Sequence, residues 1–269
     1  MKRTVTLLLS AAVTFAALSA CTDDEEKPTV GNTYVLVHGA WQAPYVWDAV
    51  AADLTAKGNK VITVELPGHG SDSTPAHTLS LDAYTAKVTD AISATSDTVI
   101  LVGHSMGGMV ISNTAERLPS RIKKLVYIGA FLPENGQSLA DLAFSDPASQ
   151  LGPKLIEAPD HLTLDVKQDS LTYLFINDGT EEGKKSVLDH YRAEPAIPFG
   201  NKVALSGENF GSVSKVYIKT LQDIVISPAL QDRMIQKAGI TKVYEVNTSH
   251  SPFLAQPHAV SDFLLKIGE

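Results

Sequence analysis

Apolar residues fall along this chain in two alternating rhythms. Short uninterrupted runs rich in Val, Ile and Tyr occupy Tyr34–Val37, Val61–Val64, Val99–Val102, Leu125–Ile128, Val216–Ile218 and Val243–Val246. Runs of that length without polar alternation predict strands buried on both faces. Between them the spacing changes to that of helix faces. Val46, Val50, Ala51 and Leu54 share one face ahead of Lys57-Gly58, a helix stop. Leu81, Tyr84, Val88, Ala91 and Ile92 share another, opened by Ser80 as N-cap. A third stretch runs from Met106 to Leu118 and stops at Pro119. This order predicts an α/β fold: a mostly parallel sheet flanked by helices, with right-handed crossovers.

The rhythm breaks between about residues 133 and 201, a proline-rich stretch with helical candidates at Ser138–Phe144 and Glu181–Tyr191, and resumes after Val203. An insertion of that length inside a parallel sheet predicts a cap packed over one edge. The N-terminus follows other rules. Lys2 and Arg3 precede the apolar run Val5–Ala17 and then Leu18-Ser19-Ala20-Cys21. This is the layout of a secretory signal. At 1.5 Å per residue the run covers about 20 Å, short of the ~30 Å needed to span a bilayer. Leu-Ser-Ala-Cys resembles the bacterial lipobox, which makes residues 1–20 a lipoprotein signal peptide and Cys21 the lipidated residue. The acidic stretch that follows makes residues 21–32 a solvated tether, leaving 33–269 as the folded domain. The expected location is a bacterial cell envelope, at the outer membrane or cell surface, with the membrane met only through the lipid on Cys21.

Composition narrows the function. With 44% hydrophobic and 19% charged residues the chain can bury a large core. A formal charge of −8 without basic clusters argues against nucleic acid as a partner. Cys21 is the only cysteine, so neither an internal disulfide framework nor a thiolate zinc cluster can form.

The chemistry centres on Gly103-His104-Ser105-Met106-Gly107. This Gly-x-Ser-x-Gly motif follows a predicted strand and opens a predicted helix, the setting of a nucleophile elbow. Glycines at 103 and 107 suit a turn where backbones approach closely. A serine hydroxyl needs a base and an orienting acid. His250, beyond the last strand, is the best placed of eight histidines. Asp223 follows the strand Val216–Ile218 and is expected to reach its Nδ1. The backbone N–H groups of Ala40 and Met106 are the expected oxyanion hole. His38 and His104 are expected to pack beneath their turns, and His69 with Asp72 to belong to a loop turn, since no further ligand suggests a metal site. Gly39, Trp41, Phe131 and Phe253 are the candidate substrate-pocket residues.

Three segments carry a family resemblance: Tyr34–Trp41, Gly103–Met109 and His250–Leu254. They resemble the α/β-hydrolase superfamily, in particular the group containing plant methylesterases, hydroxynitrile lyases and bacterial pyrethroid-type carboxylesterases. Phe210–Ile218 is similar to the methylesterases, whereas Ala196–Gly200 and Gln222–Ile226 are more similar to the pyrethroid-hydrolase branch. The resemblance implies an α/β-hydrolase fold with an inserted cap, Ser105 as nucleophile, His250 as base and Asp223 as acid. The lyases of this group carry a threonine where this chain has Gly39, and a lysine immediately after the histidine, where this chain has Ser251. The expected activity is therefore hydrolysis of small to medium hydrophobic carboxylic esters through an acyl-enzyme, with no metal or organic cofactor. Acyl transfer to an alcohol or peroxide, a lyase-like reaction and non-catalytic small-molecule binding are the alternatives on the same scaffold.

Overall fold

The computed structural model describes Met1 and residues 31–269. The signal-like segment, Cys21 and most of the acidic tether lie outside the described residues.

From Thr33 the chain alternates as the apolar rhythm requires. Strand β1 (Thr33–Val37) leads to α1 (Asp48–Ala56), β2 (Lys60–Val64), α2 (Leu81–Ser93), β3 (Val99–His104), α3 (Gly107–Arg117) and β4 (Ile122–Ile128). The insertion then carries α4 (Leu139–Phe144), β5 (Leu155–Glu157), β6 (Thr163–Val166), α5 (Leu171–Ile176), α6 (Glu181–Asp189), β7 (Glu194–Pro195) and α7 (Ile197–Gly200). The main body resumes with β8 (Lys215–Thr220), α8 (Pro228–Lys237), β9 (Val243–Val246), α9 (Pro252–Ala255) and α10 (Pro257–Gly268).

Six strands form one parallel sheet in the order β2-β1-β3-β4-β8-β9. Successive strand residues point to opposite faces, so each strand feeds two core layers. Val35, Val37, Leu101 and Tyr127 enter the layer under α2, α3 and α8. Tyr34, Leu36, Ile100 and Val126 enter the layer under α1 and α10. Burial on both faces holds for the central strands; the outermost strands β2 and β9 are partly exposed, because each has a neighbour on one side only.

Local chemistry closes the elements. The Ser80 hydroxyl accepts from the Ala83 N–H at 3.1 Å and caps α2. Ser138 and Asp141 form a capping box at the start of α4. The insertion is pinched at its neck by a bridge between Ser138 and Lys202. Within it β5, β6 and β7 form a small antiparallel sheet that the apolar pattern did not announce, since strands this short carry no alternation to read.

Strand order decides where chemistry can occur. The chain leaves β1 toward β2, then returns to place β3 on the other flank of β1. At such a switch point the segments beyond the strand ends diverge and leave a crevice. The loop after β1 and the turn after β3 meet there.

Candidate active site

Ser105 occupies the turn between β3 and α3 with φ of 52°. A non-glycine residue in this left-handed region is uncommon and is held by its surroundings. Here the Ser105 carbonyl accepts from the N–H groups of Gly108 (3.0 Å) and Phe131 (3.1 Å). A Cβ at Gly103 would lie 2.7 Å from the Gly107 carbonyl oxygen, and one at Gly107 would lie 2.9 Å from the carbonyls of Val37 and His38. The glycines flanking the serine are therefore steric requirements of the turn.

The structure brings Ser105, His250 and Asp223 together. His250 Nε2 lies 3.0 Å from Ser105 Oγ, and its Nδ1 lies 2.8 Å from Asp223 Oδ2. The carboxylate also accepts from the Thr220 hydroxyl (2.9 Å) and from the N–H groups of Val225 (2.8 Å) and Ile226 (3.0 Å). Four donors orient it. Its contact with Nδ1 places the ring proton there and leaves the Nε2 lone pair facing the serine hydroxyl. All three side chains are buried, Ser105 being only 6% exposed.

The Ala40 and Met106 amides are buried beside this relay, and among the described residues neither donates a hydrogen bond. Buried N–H groups are nearly always paired, so two without a partner, one on Met106 next to the serine and one on Ala40 next to the Gly39 that packs against it, leave room for an acceptor.

The neighbouring histidines are structural. Burial and then the adjacent His69 hold His38 down to about 3, against a smaller opposing effect of its bond to Gly39. Its Nδ1 donates to the Gly39 carbonyl (2.8 Å) while its Nε2 accepts from the Leu66 N–H (3.2 Å). Burial and then His250 also hold His104 well below the ordinary imidazole value, and its Nε2 donates to the His250 carbonyl at 2.8 Å. Asp72 does serve its turn, accepting from the N–H groups of Gly68 and Thr74. His69 does more: it meets the buried carboxylate of Glu194 at 2.8 Å. Among the described residues no group of three or more His, Cys, Asp or Glu comes together as a metal site would require.

Aromatic side chains wall the site. The Trp41 ring lies 5.7 Å from Phe175 and 5.8 Å from Phe199, both on the cap, and its indole N–H donates to the Leu164 carbonyl at 2.8 Å. Phe175 is also 6.0 Å from the His250 ring. Phe131 and Met106 are buried in the same apolar layer. Gly39 packs directly against Ser105 and His104. Phe253 corrects an expectation. Its ring packs on Trp47 (4.5 Å) and on the far side of His104 (4.7 Å), within the opposite core layer. Helix α9 begins at Pro252 and turns this side chain under the sheet, into the layer covered by α1 and α10.

Three cap carboxylates that the sequence pattern did not single out reach onto the loops of this site. Asp146 accepts from the Ser227 N–H (2.8 Å) and hydroxyl (2.7 Å), beyond Asp223. Asp178 accepts from the N–H of Ser249, next to His250, at 2.9 Å and also from its hydroxyl. Glu194 accepts from the N–H of Trp41, next to Ala40, at 2.8 Å.

Comparison with known proteins places this architecture among relatives. A chloroplastic relative from Arabidopsis thaliana, named as methylesterase 11, is 34% identical over 250 residues, covering 88% of this chain but only 64% of its own length. The pyrethroid hydrolase of Sphingobium wenxiniae is 29% identical over 243 residues, 85% of this chain and 86% of that protein. A solved pyrethroid hydrolase superposes with a TM-score of 0.77 at 25% identity, over 89% of this chain and 98% of its own. Matched by the alpha/beta hydrolase family model from residue 34 to residue 263, the chain belongs to that family.

Proposed function

We propose that this protein is a serine carboxylesterase acting on small to medium hydrophobic esters. The reading rests above all on one observation: Ser105, His250 and Asp223 are linked at 3.0 and 2.8 Å, and the amides of the buried residues Ala40 and Met106 nearby have no acceptor among the described residues. Relatives named as a methylesterase and a pyrethroid hydrolase support it.

In this mechanism His250 Nε2 takes the Ser105 proton as Oγ attacks the ester carbonyl. Asp223 holds the imidazole tautomer and stabilises the imidazolium. The Ala40 and Met106 amides bind the oxygen that becomes negative. Protonated His250 returns the proton to the leaving alcohol as the C–O bond breaks. Water, deprotonated by His250, then attacks the acyl-enzyme, and Ser105 recovers its proton. Trp41, Phe131, Phe175 and Phe199 offer an apolar surface to the acyl or alcohol part. Ser251, beside His250, is fully buried and accepts from the Gln42 amide at 2.9 Å, so that position offers no cation to a departing cyanide. The protein acts in this proposal while tethered to a bacterial envelope through lipid on Cys21.

The test is a series of p-nitrophenyl esters of rising chain length, run on wild type and Ser105→Ala. Turnover is expected for short and medium chains and is lost in the variant, which also loses stoichiometric labelling by an organophosphonate. Unlabelled Ser105 in wild type, with no ester hydrolysed, refutes the proposal. Protein lacking residues 1–21 is expected to keep full turnover; its loss contradicts a mere tether.

A further inference from the structure

We propose that Glu194, carried by the cap, is a positioning residue that holds the Ala40 amide in the oxyanion hole. The inference rests on the esterase reading and concerns how that site is kept assembled.

Ala40 sits between two peptide planes, and both are held. The Gly39–Ala40 peptide is trans, so the Ala40 N–H points opposite the Gly39 carbonyl. His38 Nδ1 fixes that carbonyl at 2.8 Å and thereby fixes the direction of the amide, on a loop that packs against Ser105. The next plane ends in the Trp41 N–H, which donates to Glu194 Oε2 at 2.8 Å. The same oxygen receives His69 Nε2 at 2.8 Å, while His69 Nδ1 faces the Pro67 carbonyl at 3.1 Å. Both ring nitrogens of His69 thus meet acceptors, which requires a doubly protonated imidazolium. The His69 ring packs 4.9 Å from that of His38, so the ion pair braces the histidine that holds the first plane as well.

Two further observations call for such a brace. Trp41 has φ of 57°, a conformation a bulky residue keeps only when its surroundings enforce it. Glu194 is fully buried, and among the described residues its Oε1 has only the Tyr84 hydroxyl, at 3.5 Å. Burying a carboxylate is costly, and apolar residues of similar volume generally serve stability as well. What an apolar residue lacks is an acceptor for the Trp41 amide. Because β7 belongs to the cap, withdrawing the cap withdraws the acceptor, so the oxyanion hole is complete only with the cap in place.

The experiment compares Glu194→Leu, which removes the acceptor, Glu194→Asp, which keeps the charge on a shorter stem, and Glu194→Gln, which keeps an acceptor oxygen without charge. Rates are expressed per active site titrated with an organophosphonate. Removing one oxyanion donor costs about 10²–10³ in kcat. Misaiming one is expected to cost about 10–100-fold in Glu194→Leu and about tenfold in Glu194→Asp, with KM within about twofold. Affinity for a trifluoromethyl ketone, which forms a tetrahedral adduct, should fall by the same factor as kcat, and Glu194→Gln should recover most of the loss. A merely structural role would lower the titrated fraction and leave the rate per titrated site intact; that result overturns the proposal. If Glu194→Leu does not fold, Glu194→Asp decides, and a kcat within twofold of wild type is the overturning result. Wild type that neither turns over esters nor labels at Ser105 sinks the esterase reading and this proposal with it. Unaffected Glu194 variants of an active wild type sink this proposal alone.

Discussion

Gly39→Ala isolates the geometry of the loop after β1, which carries the proposed oxyanion amide of Ala40, from everything else in the site. An added Cβ would lie 2.8 Å from Ser105 Cβ and 2.8 Å from His104 Nδ1. Neither neighbour can give way cheaply. Ser105 is held at a left-handed φ by two bonds to its carbonyl, and the His104 ring is tied to the His250 carbonyl. Gly39 itself lies outside the left-handed region, so alanine carries no backbone penalty and the effect is purely steric. Reaching ordinary contact at 3.4 Å demands a shift of about 0.6 Å, absorbed by the loop after β1 that carries the Ala40 amide. A 1 Å misplacement of catalytic groups costs about 100-fold, so a loss of about 10–100-fold in kcat is expected, or about 1.4–2.7 kcal/mol of barrier. The assay is steady-state hydrolysis of p-nitrophenyl butyrate, with Gly152→Ala as control. A Cβ at Gly152 meets nothing within 4 Å, and its backbone is not left-handed, so wild-type kinetics are expected there. A Gly39→Ala enzyme with kcat within twofold of wild type at unchanged KM refutes the argument.

Other outcomes follow from the same contacts. Asp223→Asn keeps the shape but loses the acceptor that selects the His250 tautomer; kcat should fall about 10³–10⁴-fold with little change in KM, and a loss under tenfold counts against Asp223 as the orienting acid. Asp146→Ala strands the buried Ser227 N–H and hydroxyl, costing about 2–3 kcal/mol, read as a lower urea midpoint at unchanged slope. Stability should also fall on mild acidification. His38 and His104 are held below their unfolded value, so the unfolded chain takes up protons first; their contribution is complete above about pH 6.5 and is lost as pH falls, at up to about 1.4 kcal/mol per unit for each. For His69, burial lowers the value but the Glu194 charge and hydrogen bonds together outweigh it, so its folded value is raised; its contribution is complete below about pH 6.5 and does not offset the loss. A melting temperature equal at pH 7 and pH 5 would contradict this.

What could be read from the chain and what could not divide along a physical line. The sheet was legible because each central strand is a short apolar run buried on both faces, and a run such as Val99–Val102 states its own environment. The meeting of Ser105, Asp223 and His250 was legible for a related reason. Ser105, Asp223 and His250 each stand just beyond a strand, and a parallel sheet gathers such positions at one edge whatever separates them along the chain. Phe253 shows where adjacency misleads: three residues after His250, it lies on a new helix that turns it into the other core layer. Phe175 and Phe199 reach Trp41 only because the cap folds over the loop that carries it, and nothing local in either segment marks that destination. The same holds for Asp146, Asp178 and Glu194. Each acts across tens of residues on a backbone amide, and amides are identical at every position, so no pattern in side chains points to the partner. One clue does exist for Glu194. It stands alone among Ala193, Pro195, Ala196 and Ile197, and a carboxylate drawn into the core with an apolar segment must find donors there. That requirement says a partner exists without saying which, and only the closed cap identifies it as the loop that also carries the Ala40 amide.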